Sequence, residues 1–181
     1  ELGVLLEAGR IASSSLDLDT VVNSAARYFV RSLSADGVTI SLLDRSLDAL
    51  IALLEYTKDD GPRPVTDADH RTDLSQYPVT SSVIKDRGTV TVDSGSPGMT
   101  VAEADRLGKR KASSALLVPL VVRDEAIGLV EVWSTEPRRF TTREHDLAKA
   151  LATSVASAME NARLHDETQK RLGELAIIND I

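Results

Sequence analysis

The period of the hydrophobic positions changes several times along the chain, and each change marks an element. Leu2, Leu5, Leu6, Ile11 and Ala12 follow helical spacing, interrupted by Gly3 and Gly9. After the break "SSSLDLD", Asp17 is placed to cap a second helix that runs to about Leu33, with Leu18, Val21, Val22, Ala25, Phe29 and Leu33 on one stripe. "SADG" closes it, with Gly37 available for a left-handed turn. The period then becomes two. Val38, Ile40 and Leu42 alternate with Thr39, Ser41 and Leu43, and after the turn "DRSLD" the run Ala49–Tyr56 returns as the second arm of a hairpin. Residues 57–73 are polar, with Gly61, Pro62 and Pro64, and predict a long loop.

The second half repeats the alternation of types. Val79–Gly88 predicts a short helix with Thr80 as cap and Gly88 as C-cap, and Thr89–Val92 a short strand. "DSGSPG" is a loop, and Thr100 followed by Glu103 forms a capping box for the next helix. "SALLVPLVV" and "AIGLVEVWS" make a second hairpin, in which Pro119 demands an edge or a bulge. From Thr141 to about Ile178 the pattern is continuously helical, on the order of 57 Å at about 1.5 Å per residue. Hairpins pair antiparallel, so the expected fold class is α+β, a mainly antiparallel sheet with helices on it.

Composition narrows the chemistry. The 181 residues suit one domain, and no apolar run approaches a membrane span. The chain opens on Glu1 without a signal-peptide pattern, which reads as a piece of a longer protein. It has no cysteine, which removes disulfides, thiolate metal sites and thiol catalysis. A net charge of −7 and 3% aromatics argue against nucleic acid, through phosphate repulsion and the lack of a stacking platform. His70, His145 and His165 have no metal-type spacing.

Four stretches together resemble the GAF domain, a small-molecule-sensing relative of the PAS fold: "SLDLDTVVNSAARYFVRSLSADGVTISLLD", "YPVTSSVIKDRGTVTV", "SALLVPLVVRDEAIGLVEV" and "RRFTTREHDLAKALATSVASAMENARL". The resemblance covers nearly all of residues 16–164 and rests on their order rather than on one motif. It implies a GAF/PAS-like central antiparallel sheet of about six strands, with the terminal helices on one face and a ligand pocket on the other. Residues 1–15 would then be a linker or dimerisation helix, 16–164 the domain, and 165–181 a signalling helix. The likeness of "ELGVLLEA" at the start to "ELAIINDI" at the end suggests that a next repeat begins there.

What the resemblance implies about function is a non-catalytic sensor that binds a small ligand and relays it to an output domain of the same chain, such as a histidine kinase or a cyclic-di-nucleotide enzyme. The setting would be a cytoplasmic signalling protein such as a two-component system. The alternative is a ligand-free dimerisation or spacer module. A cyclic-nucleotide site is a weaker reading. The family's N-K…F-x-x-x-D-E pattern falls on Ser134, Thr135, Phe140, Glu144 and His145, and only Phe140 matches, with Glu144 an acidic replacement. Bilin-binding and methionine-sulfoxide-reducing members need cysteines, and haem-binding members an axial His, so no cofactor or metal is expected.

The implied pocket lies between the sheet, the short central helix and the loop after the following strand. Its candidate lining is Tyr77, Ser81, Ser82, Val83, Asp93, Ser94 and Met99. Ser81 and Ser82 could equally satisfy their own helix. Phe140 and Trp133 are expected to be structural, both where the closing helix meets the sheet. The basic cluster Arg106, Lys109, Arg110 and Lys111 reads as a solvated helix end whose cations suit the dipole, or as an anion contact. Past Leu164 the closing helix carries the ordered pairs Asp166/Lys170 and Glu167/Arg171. A helix outrunning its own core needs a partner. Leu2, Leu5, Leu6, Leu164, Leu172, Leu175 and Ile178 are the candidate contacts of a parallel homodimer.

Overall fold

A computed structural model describes residues 17–63, 65 and 70–179, with the side chains of the closing helix described as far as Glu174. The helix expected over Leu2–Ser13, with Leu2, Leu5 and Leu6, lies outside the described residues, as do the side chains of Leu175 and Ile178. The elements are α1 (Leu18–Ser32), β1 (Gly37–Asp44), β2 (Ala49–Thr57), β3 (Gly61–Arg63), β4 (Arg71–Asp73), a 3-10 turn (Leu74–Gln76), α2 (Pro78–Asp86), β5 (Val90–Val92), α3 (Val101–Lys109), β6 (Ser114–Val122), β7 (Glu125–Ser134) and α4 (Thr142–Asn179).

The fold is α+β around one antiparallel sheet of order β3-β2-β1-β7-β6-β5, with β4 also paired to β2. The sheet is six strands wide because β3 and β4 share one edge of β2, β3 at residues 55–57 and β4 at residues 49–51. Both come from the stretch read as a loop. Three-residue strands led by Gly-Pro or Arg-Thr carry no alternation to reveal them. Pro119 sits in the part of β6 that short β5, paired only to Ala115–Leu117, does not reach, so its missing N–H costs no ladder bond.

α1 and α4 cover one face of the sheet. Phe29, Leu33, Val38, Ile40, Leu116, Val118, Leu120, Val130, Val132, Leu151, Val155 and Met159 form its core. Ala148, Ala152, Ala156 and Ala162 of α4 are buried too, and α1 packs against this helix. Asp17 caps α1 as expected, accepting from the Thr20 N–H at 3.0 Å. Arg138 pins the helix ends together. Its guanidinium donates to the Leu33 and Ser34 carbonyls at 3.1 and 3.0 Å, pairs with Glu144, and lies 4.4 Å from the centre of the buried Phe140 ring. Phe140 is therefore structural, as expected.

α2 and α3 cover part of the second face, over Leu50, Leu74, Val83, Ile84, Val92, Leu107, Ala115, Leu117, Leu129 and Trp133. Trp133 belongs here and not under α4. The alternation of β7 points Val130 and Val132 to the first face and Leu129, Glu131 and Trp133 to the second. Gly37 does not make the turn after α1. Ser34 takes the left-handed conformation, at φ 48°, and Gly37 opens β1.

Candidate functional site

On the second face the strands set side chains in two adjacent rows. Glu55, Thr39, Glu131 and Leu117 stand side by side on β2, β1, β7 and β6, and Thr57, Gly37, Trp133 and Ala115 form the next row. Glu55 reaches this face because β2 carries a bulge opposite Ile40/Ser41. The extra residue shifts the parity of β2 between Leu50 and Leu54, so Leu50 and Glu55 share the second face while Leu54 joins the first.

α3 presents Arg106 and Arg110, four residues apart and so on one helix face, to those carboxylates. Arg106 pairs with Glu131 and donates to the Thr72 hydroxyl at 2.5 Å, and its guanidinium lies 5.6 Å from the centre of the Tyr77 ring. Arg110 Nε donates to Glu55 at 3.1 Å, and its Nη1 is 3.6 Å from Glu131. Side-chain exposure is 13% for Arg106, 7% for Glu131 and 11% for Arg110, so these are ion pairs largely out of water. Half of the basic cluster thus turns inward to neutralise the sheet, which resolves the sequence-level choice for Arg106 and Arg110.

Glu103, one turn earlier on α3, is also buried and serves two helices. Its Oε2 accepts from the Thr100 N–H at 3.1 Å, completing the expected capping box. Its Oε1 accepts from the Thr80 N–H at 3.0 Å and the Thr80 hydroxyl at 3.3 Å. Thr80 is therefore not the cap of α2. That helix starts at Pro78, behind a Tyr77 cap position with no side-chain bond. Pro at the first helical position was the available signal. At the other end Arg87, at φ 54°, takes the left-handed cap expected of Gly88.

With α2 held this way, the space beneath it is small. A cavity of about 20 Å³, near the room one water needs, is lined by Tyr77, Val79, Thr80, Met99 and Glu103 among others. Of the candidate ligand residues, Tyr77 and Met99 border it and Val83 is buried in the adjacent core. Ser81 is half-buried. Ser82 is exposed and donates to the Val79 carbonyl at 2.8 Å. Asp93 and Ser94 are exposed in a turn where Asp93 accepts from the Gly95 N–H at 2.9 Å. The candidates are not gathered around one space.

The larger concavity lies beside α3, toward the β2–β3 hairpin. It is a cleft of about 470 Å³ whose wall includes Glu55, Arg106, Arg110, Lys58, Thr135 and Trp133. Asp36 anchors one end. It accepts from the Ser134 hydroxyl at 3.1 Å, the Thr135 N–H at 2.7 Å and the Thr135 hydroxyl at 2.9 Å, and pairs with Lys58. Burial pushes its pKa up, but the bonds from Lys58, Thr135 and Ser134 outweigh that and hold the carboxyl well below the usual range. The Trp133 ring lies flat against Gly37, where an added Cβ would come within 2.1 Å of the ring. Among the described residues, three buried side-chain polar atoms have no hydrogen-bond partner: Thr39 Oγ1, Thr89 Oγ1 and Trp133 Nε1. Thr39 and Trp133 stand in the two rows that floor this side of the sheet.

The sequence model of the GAF domain matches residues 15–160. The chain belongs to the GAF family. No curated protein sequence matches it. Among solved structures, the GAF domain/HD domain protein of Geobacter sulfurreducens superposes with a TM-score of 0.69 at 19% identity, covering 84% of this chain and 98% of that one. The free methionine-R-sulfoxide reductase of Neisseria meningitidis, solved with its substrate, gives 0.69 at 20% identity over 90% and 89%. A bacteriophytochrome of R. palustris gives 0.75 at 13% identity, covering 98% of this chain and 41% of its own. At these identities the likeness is one of fold.

Of the positions on which the cyclic-nucleotide pattern falls, Thr135 lines the cleft, and only Phe140 matches in residue type. Phe140 and Glu144 are taken up by the Arg138 joint on the first face, away from the cleft. His145, in the first turn of the closing helix, is within 2.9 Å of the Thr91 hydroxyl and ties α4 to β5. Among the described residues no group of three or more His, Asp or Glu is placed to hold a metal, and no helix is long and apolar enough to cross a membrane.

Proposed function

We propose that this GAF domain is a non-catalytic sensory module of a multidomain signalling protein, binding a small ligand on the second face of the sheet and relaying it through the terminal helices to an output domain. One observation carries this reading. β7 turns Trp133 into the cleft, Glu131 beneath Arg106, and Val130 and Val132 under α4, so one strand is shared between a polar cleft and the helix that leaves the domain. A ligand that favours one position of β7 thereby has differential contact with two placements of α4. α4 continues past its buried stripe with Leu164 and Leu172 at 41% and 56% exposure. These two, with Leu175, Ile178 and the Leu2, Leu5 and Leu6 stripe, remain the proposed contacts of a parallel homodimer in the cytoplasm. Residues 165–181 remain the proposed signalling helix, which a further repeat would continue.

The bacteriophytochrome and the GAF/HD protein support the sensory reading by fold. The reductase shows that the same fold can act on a substrate, but the cysteine-free sequence offers no thiol for redox work. The spacer reading draws support from the near-filled space beneath α2 and its Glu103 clasp. Native mass spectrometry of the domain purified from cells separates the two. The sensory reading expects a retained small molecule on a dimer. A bare polypeptide mass, with no metabolite raising the melting temperature, would leave the spacer.

A further inference from the structure

Resting on the ligand-binding reading above, we infer that the cleft beside α3 is the binding site and that its ligand is a small organic anion accepting a hydrogen bond from the Trp133 indole N–H. Space sets the cleft beside α3 apart from the cavity under α2. The cavity under α2 has room for about one water, while the cleft, at about 470 Å³, falls in the range of small-molecule sites.

The floor of the cleft points to an acceptor. An indole nitrogen only donates, and a buried donor is nearly always paired. Trp133 Nε1 is buried and makes no hydrogen bond within the protein. Its neighbours are already engaged. Glu131 and Glu55 bind Arg106 and Arg110, and the Asp36 carboxylate is taken by Lys58, Ser134 and Thr135. The indole is seated by Gly37, the position on β1 where any side chain would collide with the ring. A ligand supplying a carboxylate, phosphate or carbonyl oxygen would satisfy this unbonded donor, which it reaches as the wall over Nε1 yields, since the atom itself is buried.

Charge points to an anion. Six cationic side chains, Lys58, Arg63, Arg106, Lys109, Arg110 and Lys111, line the cleft against four carboxylates, in a chain of net charge −7. Glu131, behind Arg106, and Glu136, close enough to act on the Lys58 charge, bring the carboxylates to six, so it is the placement of the cations along the cleft and not an excess of them that favours an anion. A cationic ligand would have to compete with arginines for Glu55 and Glu131. An anion meets Lys111, exposed just past the end of α3.

Trp133 is the single tryptophan, so the labelled full chain shows one indole resonance from this site. Titration with succinate and with inorganic phosphate, and with succinamide and betaine as uncharged and zwitterionic counterparts, reads the site directly. The expected result is a saturable downfield shift of the indole proton with succinate, and a response to phosphate alone would overturn the organic part of the assignment. That shift should weaken as salt rises, and by up to about five-fold in Lys111→Gln, a substitution of one exposed charge. Trp133→Phe, which keeps a ring over Gly37, should lose about tenfold or more in calorimetric affinity. A response to succinamide or betaine but to neither anion would overturn the charge assignment and leave ligand binding standing. Amide shifts confined to residues 78–86, with a still indole, would move the site under α2 and overturn the inference. A still indole with no shifted amides also overturns it, and a small molecule retained in native mass spectrometry would then keep the sensory reading alive.

Discussion

The two faces of the sheet are built on different principles. Under α1 and α4 the interface is apolar from Phe29 and Leu33 to Met159, and dispersion and the hydrophobic effect hold it, with directional bonds confined to the Arg138 joint at its edge. Under α2 and α3 an apolar cluster covers only part of the sheet, and beside it lie the Arg106–Glu131 and Arg110–Glu55 pairs. A packed apolar face resists change because any displacement opens voids. Charged pairs are directional, and a competing charge can exchange with them. On the sensory reading proposed above, stability resides mainly on the first face and responsiveness on the second.

The largest effect should come from the first face. Phe140→Ala removes a 6%-exposed ring where α4 enters the core, and should cost about 3–5 kcal/mol in urea unfolding. An unchanged melting temperature would place Phe140 outside the core. On the second face, Glu131→Gln leaves Arg106 without its carboxylate and should cost about 1.5–3 kcal/mol. Replacing Arg106 and Glu131 together by Met and Leu should recover most of that loss, since a well-packed apolar pair substitutes for a buried ion pair. If the double variant is no better than the single one, the network does more than neutralise itself.

A smaller, pH-dependent effect belongs to Asp36. Its folded pKa lies below the unfolded value of about 3.9, so its contribution is fully present above that value and is lost as the pH falls toward the folded pKa. Asp36→Asn should therefore destabilise the domain at neutral pH and flatten the decline of stability below about pH 4. Parallel acid-unfolding curves for the two proteins would contradict the assignment.

The asymmetry between the faces also separates what the sequence reveals from what it hides. Near-neighbour signals are legible: the Asp17 cap, the Thr100–Glu103 box, the two long hairpins and the apolar stripe of α4. They rest on residues three or four apart, or on strict alternation. The second face depends on long-range geometry. The bulge in β2, which brings Glu55 beside Glu131, interrupts an apolar run in which every residue could face either way. Arg106 and Glu131 are separated by 25 positions, and no local pattern joins them. Glu103 looks like a completed cap in sequence, and its second bond to Thr80 appears only when α2 and α3 meet. The Trp133 placement fails at the sequence level for a related reason. β7 is apolar on both faces, so its pattern does not say which side α4 takes.

Hydrogen exchange on the ligand-free domain tests the division of labour most directly. α2 and β5 are short and hang on few apolar side chains and the Glu103 clasp, whereas β6 and β7 are paired along their length and covered on both faces. Residues 75–99 should open in a unit of lower free energy and exchange faster than Leu116–Val132. Glu103→Ala should widen the gap by speeding exchange in α2 while leaving β6 and β7 unchanged. Equal protection of residues 75–99 and Leu116–Val132 would mean that the second face is as rigid as the first, and would contradict the claim that it is the responsive one.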